Sequence, residues 1–156
     1  MSLDEAVTDA LRDVWPGAKI SPLRTLDGGR SGLTLTAEVS NGPVDSIVVK
    51  AAPEGRSPHG RHDVLRQARA ITAIGNTSTV PVPTILATGT DPAHFAVMTR
   101  ARGEAVEPVL DAATRHLPSA LVRGRAVAAA RMLAALHSAP TIVSGGDDQV
   151  SDLAAE

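Results

Sequence analysis

Leu33, Leu35, Ala37 and Val39 alternate with Thr34, Thr36 and Glu38, and this period of two commits the segment to a strand with one buried and one open side. Asn41-Gly42 follows at once and is a strong hairpin signal. Ile47-Val48-Val49 then makes a further strand that ends in Lys50. Upstream, Lys19, Ile20, Leu23 and Leu26 lead into Asp27-Gly28-Gly29-Arg30-Ser31-Gly32. The expectation is a three-strand antiparallel meander with glycines in its first turn.

Helical spacing flanks the meander. Ser2-Leu3-Asp4-Glu5 has capping-box spacing, and Leu3, Ala6, Val7, Ala10, Leu11 and Val14 share a helical face. That helix runs to about Asp13, with Pro16-Gly17 ending it. Ala52 to Gly60 reads as a loop, and a second helix runs from about Arg61 to Ile74, with Val64, Leu65, Ala68 and Ile71 on one face. Val80-Pro81-Val82-Pro83 breaks it and starts an extended segment. Ile85 to Ala87 and His94 to Thr99 are a fourth and a fifth strand. After Arg102-Gly103 the pattern turns helical, most clearly from Ser119 to His137, and from Thr141 the chain is polar and acidic.

Composition narrows the classes. Hydrophobic residues make up 43%, which is globular, and only Trp15 and Phe95 are aromatic, so Val, Leu, Ile and Ala build the core. A net charge of −2 and the near absence of stacking aromatics argue against nucleic-acid binding. No cysteine is present, which removes disulfides, thiol nucleophiles and cysteine-ligated zinc. The acidic Met1-Ser2-Leu3-Asp4-Glu5 start has no apolar region of a signal peptide, and no run approaches membrane-spanning length. The expected address is the cytoplasm, with no membrane partner.

Three elements carry chemistry. Gly28, Gly29, Ser31 and Gly32 make a turn whose bare backbone N–H groups can approach phosphate oxygens. Lys50 ends a strand one hairpin later, within reach of the phosphates of a nucleotide under that turn. Of the 15 basic residues 13 are Arg, so a Lys kept against that bias marks chemistry. Gln67 lies on or beside the buried face of the second helix and offers Lys50 a carbonyl oxygen but no charge. Asp63, one turn earlier, is a candidate for the missing charge. Gly29-Arg30-Ser31-Gly32-Leu33 has its second glycine one residue too early for a nucleophile elbow. His59, His62 and Asp63 make a weak metal-binding pattern.

In this order the parts resemble the N-terminal lobe of the aminoglycoside phosphotransferase family, which has a protein-kinase-like fold. The matching pieces are Leu26-Asp27-Gly28-Gly29-Arg30-Ser31-Gly32-Leu33-Thr34, Ile47-Val48-Val49-Lys50, the Arg66-Gln67 helix and Val80-Pro81-Val82-Pro83. Phe95-Ala96-Val97-Met98-Thr99-Arg100 to Gly103 and Met132-Leu133-Ala134-Ala135-Leu136-His137 complete the series. The resemblance implies an α+β fold: a five-stranded antiparallel sheet with one packed helix, then the first helices of a truncated second lobe. It divides the chain into a nucleotide-binding lobe, residues 1–102, and the start of the helical lobe, residues 103–156. It implies that Gly28, Gly29, Ser31 and Gly32 cover the phosphates of ATP and that Lys50 contacts them. Gln67 holds that lysine, Val48 and Leu26 line the adenine pocket, and Met98, Thr99, Arg100 and Ala101 form the hinge. His137 is implied to be structural.

Two positions depart from the family pattern: Gln67 stands where Glu is usual, and Gly32 where Asn is usual. The family's His-Gly-Asp loop, with an Asn five residues after its Asp, is not found; Gly146-Asp147 has no preceding His and Asp152 in the later place. No catalytic residue or magnesium ligand is therefore assigned within the chain. The expected function is the ATP-binding lobe of a small-molecule kinase, inactive alone. The alternative is a non-enzymatic kinase-like module that associates with itself or with a second-lobe partner through the Ser119 to His137 helix.

Overall fold

The computed structural model describes residues 1–26, 33–53, 63–103 and 119–139. The glycine turn, His59, His62 and the Gly146-Asp147 stretch lie outside the described residues.

Helix α1, Leu3–Val14, starts with the full capping box: the Ser2 hydroxyl accepts from the Glu5 N–H, and the Glu5 carboxylate accepts from the Ser2 N–H at 2.6 Å. Two short strands follow, β1 (Lys19–Ile20) and β2 (Arg24–Thr25), and both pair antiparallel with β3, Leu33–Ser40. They are the first strand of the meander, broken at Ser21-Pro22-Leu23. Pro22 has no N–H to give to a ladder. On one side of it the Ser21 hydroxyl accepts the Glu38 N–H at 2.9 Å, and on the other the Leu23 N–H turns to Asp4 of α1 at 2.7 Å.

β4, Ser46–Ala51, pairs with β3, but the hairpin is longer than a two-residue Asn-Gly turn. Asn41 does take the left-handed conformation, at φ 59°. Pro43 follows Gly42 and has no N–H, so the ladder closes only at Val39, whose N–H donates to Asp45 C=O at 2.9 Å. Helix α2, Val64–Thr77, starts two to three residues later than the periodicity alone suggests, because Asp63 is its N-cap and accepts from the Arg66 N–H at 2.9 Å. β5 (Ile85–Gly89) and β6 (Phe95–Thr99) finish the sheet, with β6 inserted between β4 and β5. Counting the broken first strand once, five antiparallel positions result.

The alternation of each strand divides the core in two. Leu35, Ala37, Ile47, Val49, Ala51, Phe95 and Val97 face α1 and bury Val7 and Leu11 completely. Val48, Ala52, Ala96, Met98 and Ile85 face the other way, where Val64 and Ala68 of α2 pack. One helix therefore packs on each face. The helix expected on the sheet, α2, covers only part of its side, and α1 closes the opposite one. Helix α3, Ser119–His137, has the bounds its periodicity predicts but no buried residue; Leu133 is 52% exposed and Leu121 43%. Among the described residues, no helix is long and apolar enough to cross a membrane.

Candidate functional site

The α2 face of the sheet is built from the register of three strands. Thr34 of β3 lies opposite Lys50 of β4, which lies opposite Ala96 of β6. One rung along, Thr36, Val48 and Met98 make a second row on the same face. Side chains directly opposite on neighbouring strands share a face, so Lys50 rises between Thr34 and Ala96. Thr36 keeps its hydroxyl down by donating to Ile47 C=O at 2.8 Å.

The Lys50 ammonium is held by a neighbouring side chain. Its Nζ donates to Oε1 of Gln67 at 2.8 Å, a contact between β4 and α2 that is partly buried. Gln67 is placed by the first turn of α2, where its N–H donates to Asp63 C=O at 3.0 Å. The contact between Lys50 and Gln67 that the kinase-like order of parts implies is present. Asp63 is not the charge beside Lys50 that its place one turn earlier suggested: its carboxylate caps the helix through the Arg66 N–H. Among the described residues the ion pairs are Arg12–Asp9 and Arg24–Glu38, and neither includes Lys50.

At the other end of β6 the ladder with β4 stops at Ile47 opposite Thr99. Thr99 N–H donates to Thr84 C=O at 3.0 Å, and its hydroxyl accepts the Thr84 N–H at 2.9 Å. Backbone groups available to a ligand along this edge therefore begin beyond Thr99, at Arg100 and Ala101, both exposed. Leu26, half-buried, donates its N–H to Thr34 C=O at 2.9 Å, so the strands on either side of residues 27–32 are paired up to that segment's ends.

Val48, Lys50, Gln67 and Met98 are thus brought to one face, with Thr99 and Arg100 at its border. Gly28, Gly29, Ser31 and Gly32 lie outside the described residues. Thr34, Thr36 and Ala96 are neighbours that the sequence reading did not single out. Their alternation was visible, but only the cross-strand register puts them beside Lys50 and Val48.

The arrangement holds a cation beside Thr34 and Ala96, tethered to the helix that packs on the same face. A model of the phosphotransferase enzyme family matches residues 22–153, which takes in every element from β2 onward. No curated protein matches the sequence. That match spans well over half of the chain and agrees with the resemblance carried by its motifs: this protein belongs to the phosphotransferase enzyme family.

Proposed function

We propose that the Lys50 face binds ATP, as the nucleotide-binding lobe of a phosphotransferase acting on a small hydroxyl-bearing molecule. The observation that carries this reading is the 2.8 Å bond from Lys50 to Gln67, which tethers a strand-borne ammonium to the helix packed on the same face. A lysine so held meets α- and β-phosphates without first losing the freedom of four side-chain torsions. Thr34 and Val48 are partly exposed, whereas Ala96 and Met98 are buried in the cluster with α2, so the nucleotide is assigned to the β3–β4 side of Lys50. Residues 28–32 are assigned to cover the phosphates, and the backbone of Arg100 and Ala101 to meet the adenine edge.

Phosphoryl transfer also needs a base for the acceptor hydroxyl and oxygen ligands for magnesium. Among the described residues no group of three acidic or histidine side chains is placed to hold a metal. The family's His-Gly-Asp loop is not found in the sequence, so we assign neither task to a residue of this chain, and residues 103–156 to the lobe that would carry the acceptor. The chain alone is expected to bind nucleotide weakly and to transfer no phosphoryl group.

Calorimetric titration of ATP into the chain, with and without magnesium and beside Lys50→Ala, tests the reading. Saturable binding that the substitution weakens supports it. Heat that is the same for both proteins, or absent from a well-folded chain, rejects it.

A second reading has one observation in its favour. Every residue of α3 is at least partly exposed, with Leu121, Val122, Met132, Leu133 and Leu136 open to solvent, and on this reading the helix is the surface that meets a second copy or a second lobe. A mass in solution that rises with concentration favours self-association as the role of the chain.

A further inference from the structure

Asn41 and Gly42 close the β3–β4 hairpin, and a separate constraint holds each residue type in place. Asn41 sits at φ 59°, a left-handed backbone that asparagine and aspartate tolerate better than other residues with a side chain. At Gly42 a β-carbon would come 2.7 Å from Cγ1 of Val39 and 3.6 Å from the Trp15 ring, so the hairpin packs around a missing side chain. The same missing side chain leaves the Gly42 peptide nitrogen unshielded. Both residues are exposed, and residues 41–45 bend without a hydrogen-bonded turn. Among the described residues the Gly42 N–H has no acceptor, and the ladder closes at Val39 and Asp45.

We infer that Asn41-Gly42 is a site of spontaneous covalent modification, at which the folded chain exchanges the Asn41 amide for a carboxylate. The Gly42 nitrogen gives its proton to hydroxide and attacks Cγ of Asn41. The N–Cγ bond forms, the Cγ–Nδ2 bond breaks, and Nδ2 leaves as ammonia with a proton from water. Water then opens the five-membered imide. Opening at Cγ gives aspartate; opening at the main-chain carbonyl gives isoaspartate, whose extra methylene lies in the backbone. Attack needs rotation about the Asn41 backbone to bring nitrogen and Cγ into line, and a hairpin end without internal hydrogen bonds allows it. The chain holds one other asparagine, Asn76, and it lies in α2. There the attacking nitrogen would be that of Thr77, which is β-branched and within the helical ladder. The new carboxylate joins Glu38 and Asp45, both exposed, and adds repulsion at this end of the hairpin. Thr34 and Lys50 pair toward the other end of the same strands, so nucleotide binding there stands or falls separately.

The experiment incubates the folded chain at neutral and mildly alkaline pH, beside Asn41→Gly and beside the unaltered chain unfolded in urea. Intact mass and peptide mapping follow the loss of each asparagine amide, and amide proton exchange is compared in fresh and aged protein. Asn41 is expected to lose its amide at similar rates folded and in urea, faster as hydroxide rises, while Asn76 of the folded chain keeps its own. Asn41→Gly, which retains the left-handed backbone, should abolish the mass change. Exchange at the Val39 N–H should quicken in the aged chain. A folded chain that keeps the Asn41 amide while the urea-unfolded chain loses it overturns the inference. So does equal loss at Asn41 and Asn76, or a rate indifferent to pH.

Discussion

Gly89 of β5 stands opposite Phe95 of β6, and the aromatic ring lies over the glycine where a side chain would project. A β-carbon placed there would come 2.5 Å from Cζ of Phe95, and closer still to Cε1. The ring has no easy retreat. Phe95 is 2% exposed and belongs to the cluster that holds Val7 and Leu11 of α1. Gly89→Ala must therefore push the ring out of its rotamer or lift β5 from β6, and overpacking of this kind costs about 1–3 kcal/mol. Its backbone is outside the left-handed region, so alanine recovers about 0.4–1 kcal/mol by restricting the unfolded chain. The net loss centres on about 1 kcal/mol, or a fall of about 2–4 °C in Tm for a chain of this length. Thermal and urea unfolding followed by circular dichroism read it directly. The same substitution in a Phe95→Leu background should cost much less, giving a coupling of about 1 kcal/mol between the two positions. A Gly89→Ala protein as stable as the parent, or equal costs in both backgrounds, would refute the packing described.

Asp63→Ala removes the acceptor for the Arg66 N–H and should lower stability by about 1 kcal/mol, whereas Asp63→Ser should restore most of it; unfolding curves decide. Glu5 has its pKa lowered, first by the Ser2 backbone N–H and then by the Ser2 side chain. A carboxyl with a depressed folded value adds stability above its ordinary 4.5, and that contribution disappears as pH falls through the lowered value. Proton exchange of the first-turn amides of α1 should rise across that window relative to the rest of the helix, and Glu5→Gln should abolish the dependence.

Much of this architecture was legible in the residues. Period two gave β3, the apolar run after Asn41-Gly42 gave β4, helical spacing gave α1, α2 and α3, and the kinase-like order of parts made Lys50 and Gln67 readable as a strand–helix pair. The departures have local causes that were also in the sequence. Pro22 divides the first strand and Pro43 lengthens the hairpin, each by lacking the N–H that a ladder rung requires. Asp63 took the capping role because an acidic side chain just before an apolar helical face satisfies an orphan N–H more cheaply than it reaches across to a strand. What periodicity cannot supply is the destination of a face. The apolar side of α1 announces burial without saying which side of the sheet it closes, and among the described helices the side it takes leaves the Lys50 face to α2. The neighbours of Lys50 depend likewise on register, since Thr34 and Ala96 belong to strands on either side of β4 and meet it only once pairing is fixed.

The most direct test of the Lys50 face is residue-resolved. Amide resonances of the isotopically labelled chain, followed during an ATP titration, report which side of the sheet meets the ligand. Shifts concentrated at Thr34, Val48, Lys50, Gln67, Arg100 and Ala101, reduced in Lys50→Ala, are the result the account predicts. Shifts centred instead on the groove between α1 and the broken first strand, around Asp4, Thr8 and Ile20, would contradict it, and so would a spectrum that ATP leaves unchanged.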